Sequence, residues 1–268
     1  MIAILSDIHA NLEALEAVLA DIEQFNVEAI YCLGDLVGYG PDPIPCLQMA
    51  MRWPLVLLGD HDAALRGGDE VEHFGIPLLN AMHLRTRKQI RQHPSGPDFT
   101  VFLWQLAPQA QQGGELFVHG SPREALKEWI FPEDIYNDGK MAEFMSLFEQ
   151  ICFCGHTHIP GIFRAAEPTV ATPQRWSFLR RKEPVTQHWD YVTPEECNYA
   201  VPLTGEKLIC NVGSVGQPRD NDPRAGYVLY SPDVIRFRRV RYDVEKTVRK
   251  IHDGPDDNLF GDRLLCGR

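Results

Sequence analysis

The chain has 268 residues, of which 44% are hydrophobic, and a formal net charge of −11. Such an acidic chain lacks the positive field that neutralises phosphates, which argues against binding to polymeric nucleic acid or to an anionic membrane. A small phosphorylated substrate is not excluded, because bound metal ions would invert the local potential.

Cysteine usage and the N-terminal segment bear on the cellular compartment. Seven cysteines, an odd number without a CxxC pair, predict neither a disulfide framework nor a zinc ribbon. The N-terminal segment lacks the basic region of a signal peptide, and no apolar run approaches the roughly 20 residues of a membrane span. We therefore expect a soluble cytoplasmic protein, whose oligomeric state the sequence does not indicate.

The first part of the chain alternates short apolar strands with helices. Strands are predicted at Ile2–Leu5, 29–33 and 55–58, and each is followed directly by a polar loop. Apolar residues recur at helical spacing over 12–22, and a shorter helix is predicted at 46–51. This order predicts a sheet with parallel crossovers and helices on its faces.

The rest of the chain adds more helices and strands. Helices are predicted within 75–107 with a break near 93–97, within 133–150 and at 243–252; strands are predicted at 116–118, 151–153, 208–211, 225–230 and 235–242. The last three strands are expected to form a second sheet. The segment 165–206 contains five prolines and fits neither pattern. We interpret it as a loop or hairpin insertion within a single domain of residues 1–268.

Carboxylates and imidazoles follow five of the predicted strands, at the point where each strand ends. These residues are Asp7, His9, Asp35, Asp60, His61, Asp62, His119, His156 and His158. Because ligands of open α/β sheets bind beyond the carboxyl ends of the strands, we expect these side chains to share one rim.

So many charged and imidazole groups at one place would repel each other unless cations are bound among them. Mixed aspartate and histidine ligands suit Mn, Fe, Zn, Ni or Co better than Ca, which prefers oxygen alone. Seven ligands exceed the needs of one tetrahedral ion but suit two ions that share a bridging carboxylate. The residues therefore predict two divalent transition-metal ions, of which Mn is our first choice.

The ordered motifs resemble those of the calcineurin-like metallophosphoesterase superfamily. They read Asp7–Ile8–His9, Gly34–Asp35, Gly59–Asp60–His61–Asp62, His119 and Gly155–His156–Thr157–His158. Three longer stretches, 6–11, 36–41 and 211–220, resemble small prokaryotic phosphodiesterase-like members, whereas the segment 165–206 lies outside this resemblance. The resemblance implies a four-layer α/β/β/α sandwich with two mixed β-sheets and a dimetal site at the carboxyl ends of the strands.

The resemblance also implies a role for each residue of the site. By analogy Asp7, His9 and His158 bind the first metal, Asp60, His119 and His156 bind the second, and Asp35 bridges them. His61 is then expected beside the scissile ester as a proton donor, with Asp62 orienting its ring. The implied reaction is hydrolysis of a phosphate ester by attack of metal-activated hydroxide.

The sequence departs from the family pattern at Asp60, where the usual residue is Asn. Both residues offer an oxygen to a metal, but Asp60 adds a negative charge to those of Asp7 and Asp35. This charge should tighten cation binding and weaken the acidity of bound water. We hypothesise a shift towards harder or more highly charged metals, or a slower enzyme; the alternative is a tolerated variation.

Three further residues are candidates for contacts with a substrate. Asn11 could reach towards the site or could instead cap the first helix, and Tyr39 could line the pocket or only pack in its loop. Arg219 could pair with a phosphate, unless Asp220 neutralises it.

The expected partner is a small phosphorylated molecule, with phosphodiesters or nucleotide-like esters favoured. A protein serine/threonine phosphatase and a dinucleoside polyphosphate hydrolase are alternatives on the same metals. A non-catalytic metal-binding scaffold is the alternative from a different class, and it is disfavoured because the ligands and His61 are present together.

Overall fold

A computed structural model describes residues 1–67, 77–166, 187–255 and 258–268. It contains two six-stranded mixed sheets. The first sheet has the strand order β3-β2-β1-β11-β12-β9, comprising Leu55–Val56, Ala29–Cys32, Ile2–Leu5, Ala225–Ser231, Val234–Val240 and Ala200–Pro202. The second has the order β4-β5-β6-β10-β7-β8, comprising Gln109–Gln112, Glu115–Val118, Ile151–Cys154, Leu208–Asn211, Gly161–Ala165 and Trp189–Val192.

Each sheet contains three neighbouring parallel strands, which lie at one end of the first sheet and in the middle of the second. In the first sheet β1, β2 and β3 are parallel, and in the second β5, β6 and β10 are parallel. The other neighbouring pairs are antiparallel, including β1 with β11 and β10 with β7. The parallel strands therefore end in loops at a common edge of each sheet.

Helices cover the outer face of each sheet. The α-helices are α1 (Leu12–Ile22), α2 (Pro43–Ala50), α3 (Asp60–Leu65), α4 (Pro77–Gln92), α5 (Gly96–Gln105), α6 (Asp138–Ser146), α7 (Val244–His252) and α8 (Leu259–Asp262), with 3₁₀ turns at Pro132–Tyr136 and Arg263–Leu265. None of the helices in the described part of the chain is both long and apolar enough to cross a membrane.

The alternation of side chains along β1 shows how the layers are formed. Ala3 and Leu5 pack with residues of α1 and α2, whereas Ile4 points the other way and packs with Phe117 and Phe153 of the second sheet. A further cluster joins the outer face of the second sheet to α6. Successive residues of a strand face opposite sides, so the chain builds the expected α/β/β/α sandwich.

Several predicted elements are corrected by the structure. The strands at 208–211, 225–230 and 235–242 do not share one sheet, because β10 pairs with β6 whereas β11 pairs with β1. The range 133–150 is a 3₁₀ turn followed by α6 rather than one helix. Strands β4, β7, β8 and β9 were not predicted.

The predicted insertion at 165–206 lies partly outside the described residues, which resume at 187. Within its described part, β8 pairs with β7 at the end of the second sheet, and β9 pairs with β12 at the end of the first.

Candidate metal centre

The predicted ligands converge where the two sheets meet. Asp7 and His9 follow β1, Asp35 follows β2, Asp60 begins α3, His119 follows β5, and His156 and His158 follow β6. Their atoms form two adjoining groups, of which one contains Asp7, His9 and His158 and the other contains Asp35, Asp60, His119 and His156. All seven side chains are buried, with at most 8% of any residue exposed.

The first group is compact. Nε2 of His158 lies 3.1 Å from Oδ1 of Asp7 and 3.1 Å from Nε2 of His9. Nε2 of His9 lies 3.7 Å from the same Asp7 oxygen. Three ligand atoms therefore converge on one point, as binding of a single ion requires.

The second group has the same form and shares one carboxylate with the first. Nε2 of His119 lies 3.1 Å from Nδ1 of His156 and 3.3 Å from Oδ1 of Asp60. Oδ2 of Asp35 lies 3.6 Å from Nε2 of His119 and also 3.6 Å from Nε2 of His9. Asp35 thus stands between the groups, in the position of a bridging ligand.

Each of the four imidazoles has an outer nitrogen that faces a backbone carbonyl and an inner nitrogen that faces the other candidate ligands. The protonation of the outer nitrogen determines whether the inner nitrogen of a neutral ring has a lone pair for a metal. Nδ1 of His9, of His119 and of His158 lies against the carbonyl oxygens of Val37, Leu33 and Gln217, and Nε2 of His156 lies against that of Lys127. A carbonyl only accepts, so each outer nitrogen is the donor and each inner nitrogen of a neutral ring carries a lone pair. This arrangement is typical of histidines that bind metals.

Two pairs of imidazole lone pairs therefore face each other at 3.1 Å, one in each group. Neither pair can form a hydrogen bond without an added proton, because neither inner nitrogen has a hydrogen to donate. Oδ1 of Asp7 is likewise buried without a hydrogen-bond partner among the described residues. Divalent cations would satisfy all of these atoms, so the donor set fits two metal ions.

The carboxylates show the same need for positive charge. Burial and the neighbouring charge of Asp60 raise the pKa of Asp35 well above its ordinary value. Burial alone would also raise the pKa of Asp7, and a positive charge on His158 beside it would hold that pKa below its ordinary value, so this carboxylate too is stabilised by a neighbouring cation. Burial lowers the pKa of His156 to about 4, so this ring is neutral and able to bind a metal at neutral pH.

Two motif glycines are required by the close approach of the ligands. A Cβ on Gly59 would lie 2.1 Å from Oδ1 of Asp35, and one on Gly155 would lie 2.1 Å from Oγ of Ser6 and 2.5 Å from Oδ2 of Asp7. Any side chain at either position would displace a ligand or the residue beside it, which explains why glycine precedes both motifs.

Comparison with known proteins places this geometry in a family. Residues 1–233 match the calcineurin-like phosphoesterase superfamily domain. The chain belongs to this superfamily. Its members are hydrolases acting on phosphoric ester bonds, and the family implies divalent metal ions at the clustered aspartates and histidines.

Relatives match over the full length of the chain. The uncharacterized protein MJ0912 of Methanocaldococcus jannaschii is 30% identical, with 100% of this chain and 98% of that protein covered. The crystal structure of a metallophosphoesterase from Sphaerobacter thermophilus is 29% identical, with a TM-score of 0.76 and coverage of 100% and 99%. The hypothetical protein PH1004 from Pyrococcus horikoshii shares the fold, at 19% identity and a TM-score of 0.72, with coverage of 100% and 98%.

His61, the predicted proton donor of this phosphoesterase, is held differently from our prediction. The carboxylate of Asp62 accepts hydrogen bonds from the backbone N–H groups of Leu36, Val37 and Gly59. It therefore holds together the loops that carry the ligands. The His61 ring contacts, among others, His83 of α4, whose Nε2 lies 2.9 Å from Nδ1 of His61. No motif drew attention to His83, although a histidine on the buried face of a helix was a usable signal.

Of the three residues predicted to contact a substrate, one caps a helix and two line the cavity. Asn11 caps α1, because its Oδ1 accepts from the N–H of Ala14 while its Nδ2 donates to the carbonyl of Gly216. Tyr39 and Arg219 both line the cavity beside the metal ligands, and Nη2 of Arg219 donates to the Tyr39 hydroxyl at 3.2 Å. The contact of any of the three with a substrate remains a prediction.

Asp220 does not neutralise Arg219. It pairs instead with Arg239, and no carboxylate among the described residues pairs with Arg219. The cavity, of about 380 Å³, is also lined by Lys127, Trp129 and Arg263, which the sequence analysis did not select.

Proposed function

We propose that the protein hydrolyses small phosphodiesters or nucleotide-like phosphate esters with two divalent ions. Asp7, His9 and His158 would hold one ion, and Asp60, His119 and His156 the other, with Asp35 shared. The observation that carries this proposal is the pair of facing imidazole lone pairs in each group, joined through one carboxylate. Mn is the proposed metal, and Fe, Zn, Ni or Co would suit the same mixture of carboxylates and imidazoles.

Bound divalent ions supply a water of lowered pKa and offset the charge of phosphate oxygens. In the reaction a water oxygen forms a bond to phosphorus, the ester P–O bond breaks, and the leaving oxygen takes up a proton. His61 lines the cavity and is 3% exposed, so its ring can donate a hydrogen bond to that leaving oxygen. Arg219 also lines the cavity and would hold a phosphate oxygen.

The size of the cavity favours a small ester over a protein substrate. Its volume of about 380 Å³ lies within the usual range of small-molecule sites, roughly 300–1,000 Å³. Dinucleoside polyphosphates remain a second candidate, because three cationic side chains line the same cavity.

The test is metal analysis coupled to a substrate panel. Metal-free protein is loaded with Mn, Fe, Co, Ni or Zn, and hydrolysis of a chromogenic bis-phosphodiester, a monoester and a dinucleoside polyphosphate is followed. Two ions per chain and preferred turnover of the diester are expected. Asp35→Asn should reduce both metal content and turnover. No turnover with any metal, in protein shown to carry two ions, would sink the proposal and favour the scaffold.

A further inference from the structure

Trp129 exposes an aromatic face beside the second metal group. The residue is 50% exposed, which is unusual for tryptophan, and it lines the same cavity as the ligands. Its ring centroid lies 5.4 Å from that of His156 and 5.6 Å from that of Phe131. Since His156 is held through Nε2 by the carbonyl of Lys127, the loop that carries Trp129 is fixed relative to the metal ligands.

The same cavity has three cationic side chains. Lys127, Arg219 and Arg263 line it, and none of the three forms an ion pair with an aspartate or glutamate of the described residues, although Nε of Arg263 donates to the main-chain oxygen of Arg268 at 2.8 Å. Arg219 and Arg263 are close enough for their like charges to interact: burial, together with the charge of Arg219, lowers the pKa of Arg263. Two guanidinium groups held near each other in a chain of net charge −11 indicate a site for an anion.

The remaining lining is apolar and belongs to rigid elements. Ala63 and Ala64 lie on α3 and Leu79 lies on α4, and each of the three is at most 7% exposed. The cavity therefore combines candidate metal ligands, cationic groups and an aromatic face. These are the features of a site for an anionic ester with a flat, apolar group attached.

We propose that the substrate is a phosphate ester that carries an aromatic ring, and that this ring stacks on Trp129 while its phosphate lies at the metal ligands. This inference rests on the proposed function and adds the nature of the organic group. A nucleobase and a simple aryl ring offer the same stacking chemistry, so the experiment includes both. Phe131, which is 38% exposed, packs edge-on against Trp129 and helps to hold its ring in place.

The experiment compares esters that differ only in the ring. The methyl ester of a nucleoside 5′-phosphate, the methyl ester of ribose 5-phosphate and a counterpart with benzyl in place of the base share one scissile group. The natural protein should prefer an aromatic ester in kcat/KM by about tenfold or more, the effect of one base–aromatic stack. Whether the base or the benzyl ring is preferred shows whether the natural substrate carries a nucleobase or a simple aryl group.

Variants of Trp129 separate stacking from structure. Trp129→Ala should remove the preference, so that the aromatic and ribose esters have similar kcat/KM, whereas Trp129→Phe should retain most of the preference. Trp104→Ala is the matched control, because Trp104 is 57% exposed but lies on α5 outside this cavity. An equal loss on all esters in Trp129→Ala, or a preference that survives it, would overturn the inference.

A binding measurement keeps this inference separate from the proposed function. A nucleoside monophosphate should quench the tryptophan fluorescence of the metal-loaded protein, and Trp129→Phe should lose this quenching while Trp104→Phe keeps it. Hydrolysis of the esters without a preference for an aromatic ring would refute stacking on Trp129 and leave the proposed function intact. Quenching without hydrolysis of any ester would refute the proposed function alone.

Discussion

His83 provides the sharpest test of how the site handles the leaving group. Its Nε2 lies 2.9 Å from Nδ1 of His61, and neither residue exposes more than 3% of its surface. Replacing His83 with Leu removes this contact while keeping an apolar side chain of similar size on α4. We expect the variant to fold and to bind metal, but to break the bond to an alcohol leaving group slowly.

The expected loss can be worked out from this one contact. Breaking a buried hydrogen bond and leaving one partner in place costs about 1–3 kcal/mol. If the contact is needed in the transition state, this corresponds to a fall in kcat of roughly 5- to 150-fold. KM should change little, because His61 is expected to act on the leaving oxygen rather than to hold the substrate.

The assay uses two diesters with different leaving groups. A nitrophenolate leaves without help from a proton, whereas an alkoxide requires one. His83→Leu should therefore lower kcat strongly for an alkyl ester and only slightly for a nitrophenyl ester. His83→Gln retains an amide N–H that can donate to His61, so it should recover part of the loss.

Thr86→Val is the control for packing, because Thr86 is buried on the same helix three residues further on. It should leave both substrates unaffected. An equal loss on the two leaving groups in His83→Leu, with unchanged metal content, would show that His83 has only a structural role. No loss on either would refute the positioning of His61 by this contact.

Two further predictions concern the ligands. Removing metal with a chelator should destabilise the fold by about 4 kcal/mol per ion when the ion was in thousandfold excess over its Kd, or roughly 8–16 °C in Tm for a chain of this size. Calorimetry with and without chelator measures this shift, and a Tm that does not respond in metal-loaded protein contradicts the site. Asp60→Asn removes one of the negative charges at the centre, so it should hold its ions less tightly and have a lower pH optimum. Metal content and pH–rate profiles measure both, and unchanged metal preference, pH optimum and rate would leave Asp60 as a tolerated variation.

The convergence of the candidate metal ligands could be predicted from the sequence, because each of them directly follows a strand or begins the helix after it. Asp7, Asp35 and Asp60 each follow a strand that reads as apolar, and β1, β2 and β3 are parallel as their crossovers require. Parallel strands bring their carboxyl ends to one edge, so proximity follows without knowledge of any side-chain contact. The pairing of β11 with β1 does not follow in this way, and no pattern in 225–231 identifies its partner.

The role of Asp62 could not be predicted from its motif. His61 and Asp62 are adjacent in sequence, which suggested that one orients the other. Both lie in α3, however, and neighbouring residues of a helix do not face each other. Asp62 points instead to the backbone N–H groups of Leu36 and Val37, and the partner of the ring comes from α4.

The backbone of the ligand loops explains why the motifs need this fold to become a site. Positive φ values are found at Asp7 (54°), His9 (48°), Asp35 (54°), His156 (66°) and His158 (62°). Such a conformation is uncommon outside glycine and costs roughly 1–2 kcal/mol per residue. Hydrogen bonds from the loops to neighbouring chain segments hold it, as in the donation by the N–H of Asp7 to Gly34 at 3.0 Å and by that of His9 to Asp35 at 2.9 Å. A loop of the same sequence without positive φ values would direct these side chains elsewhere. The strained turns at the edge of the sheets therefore bring the candidate ligands together.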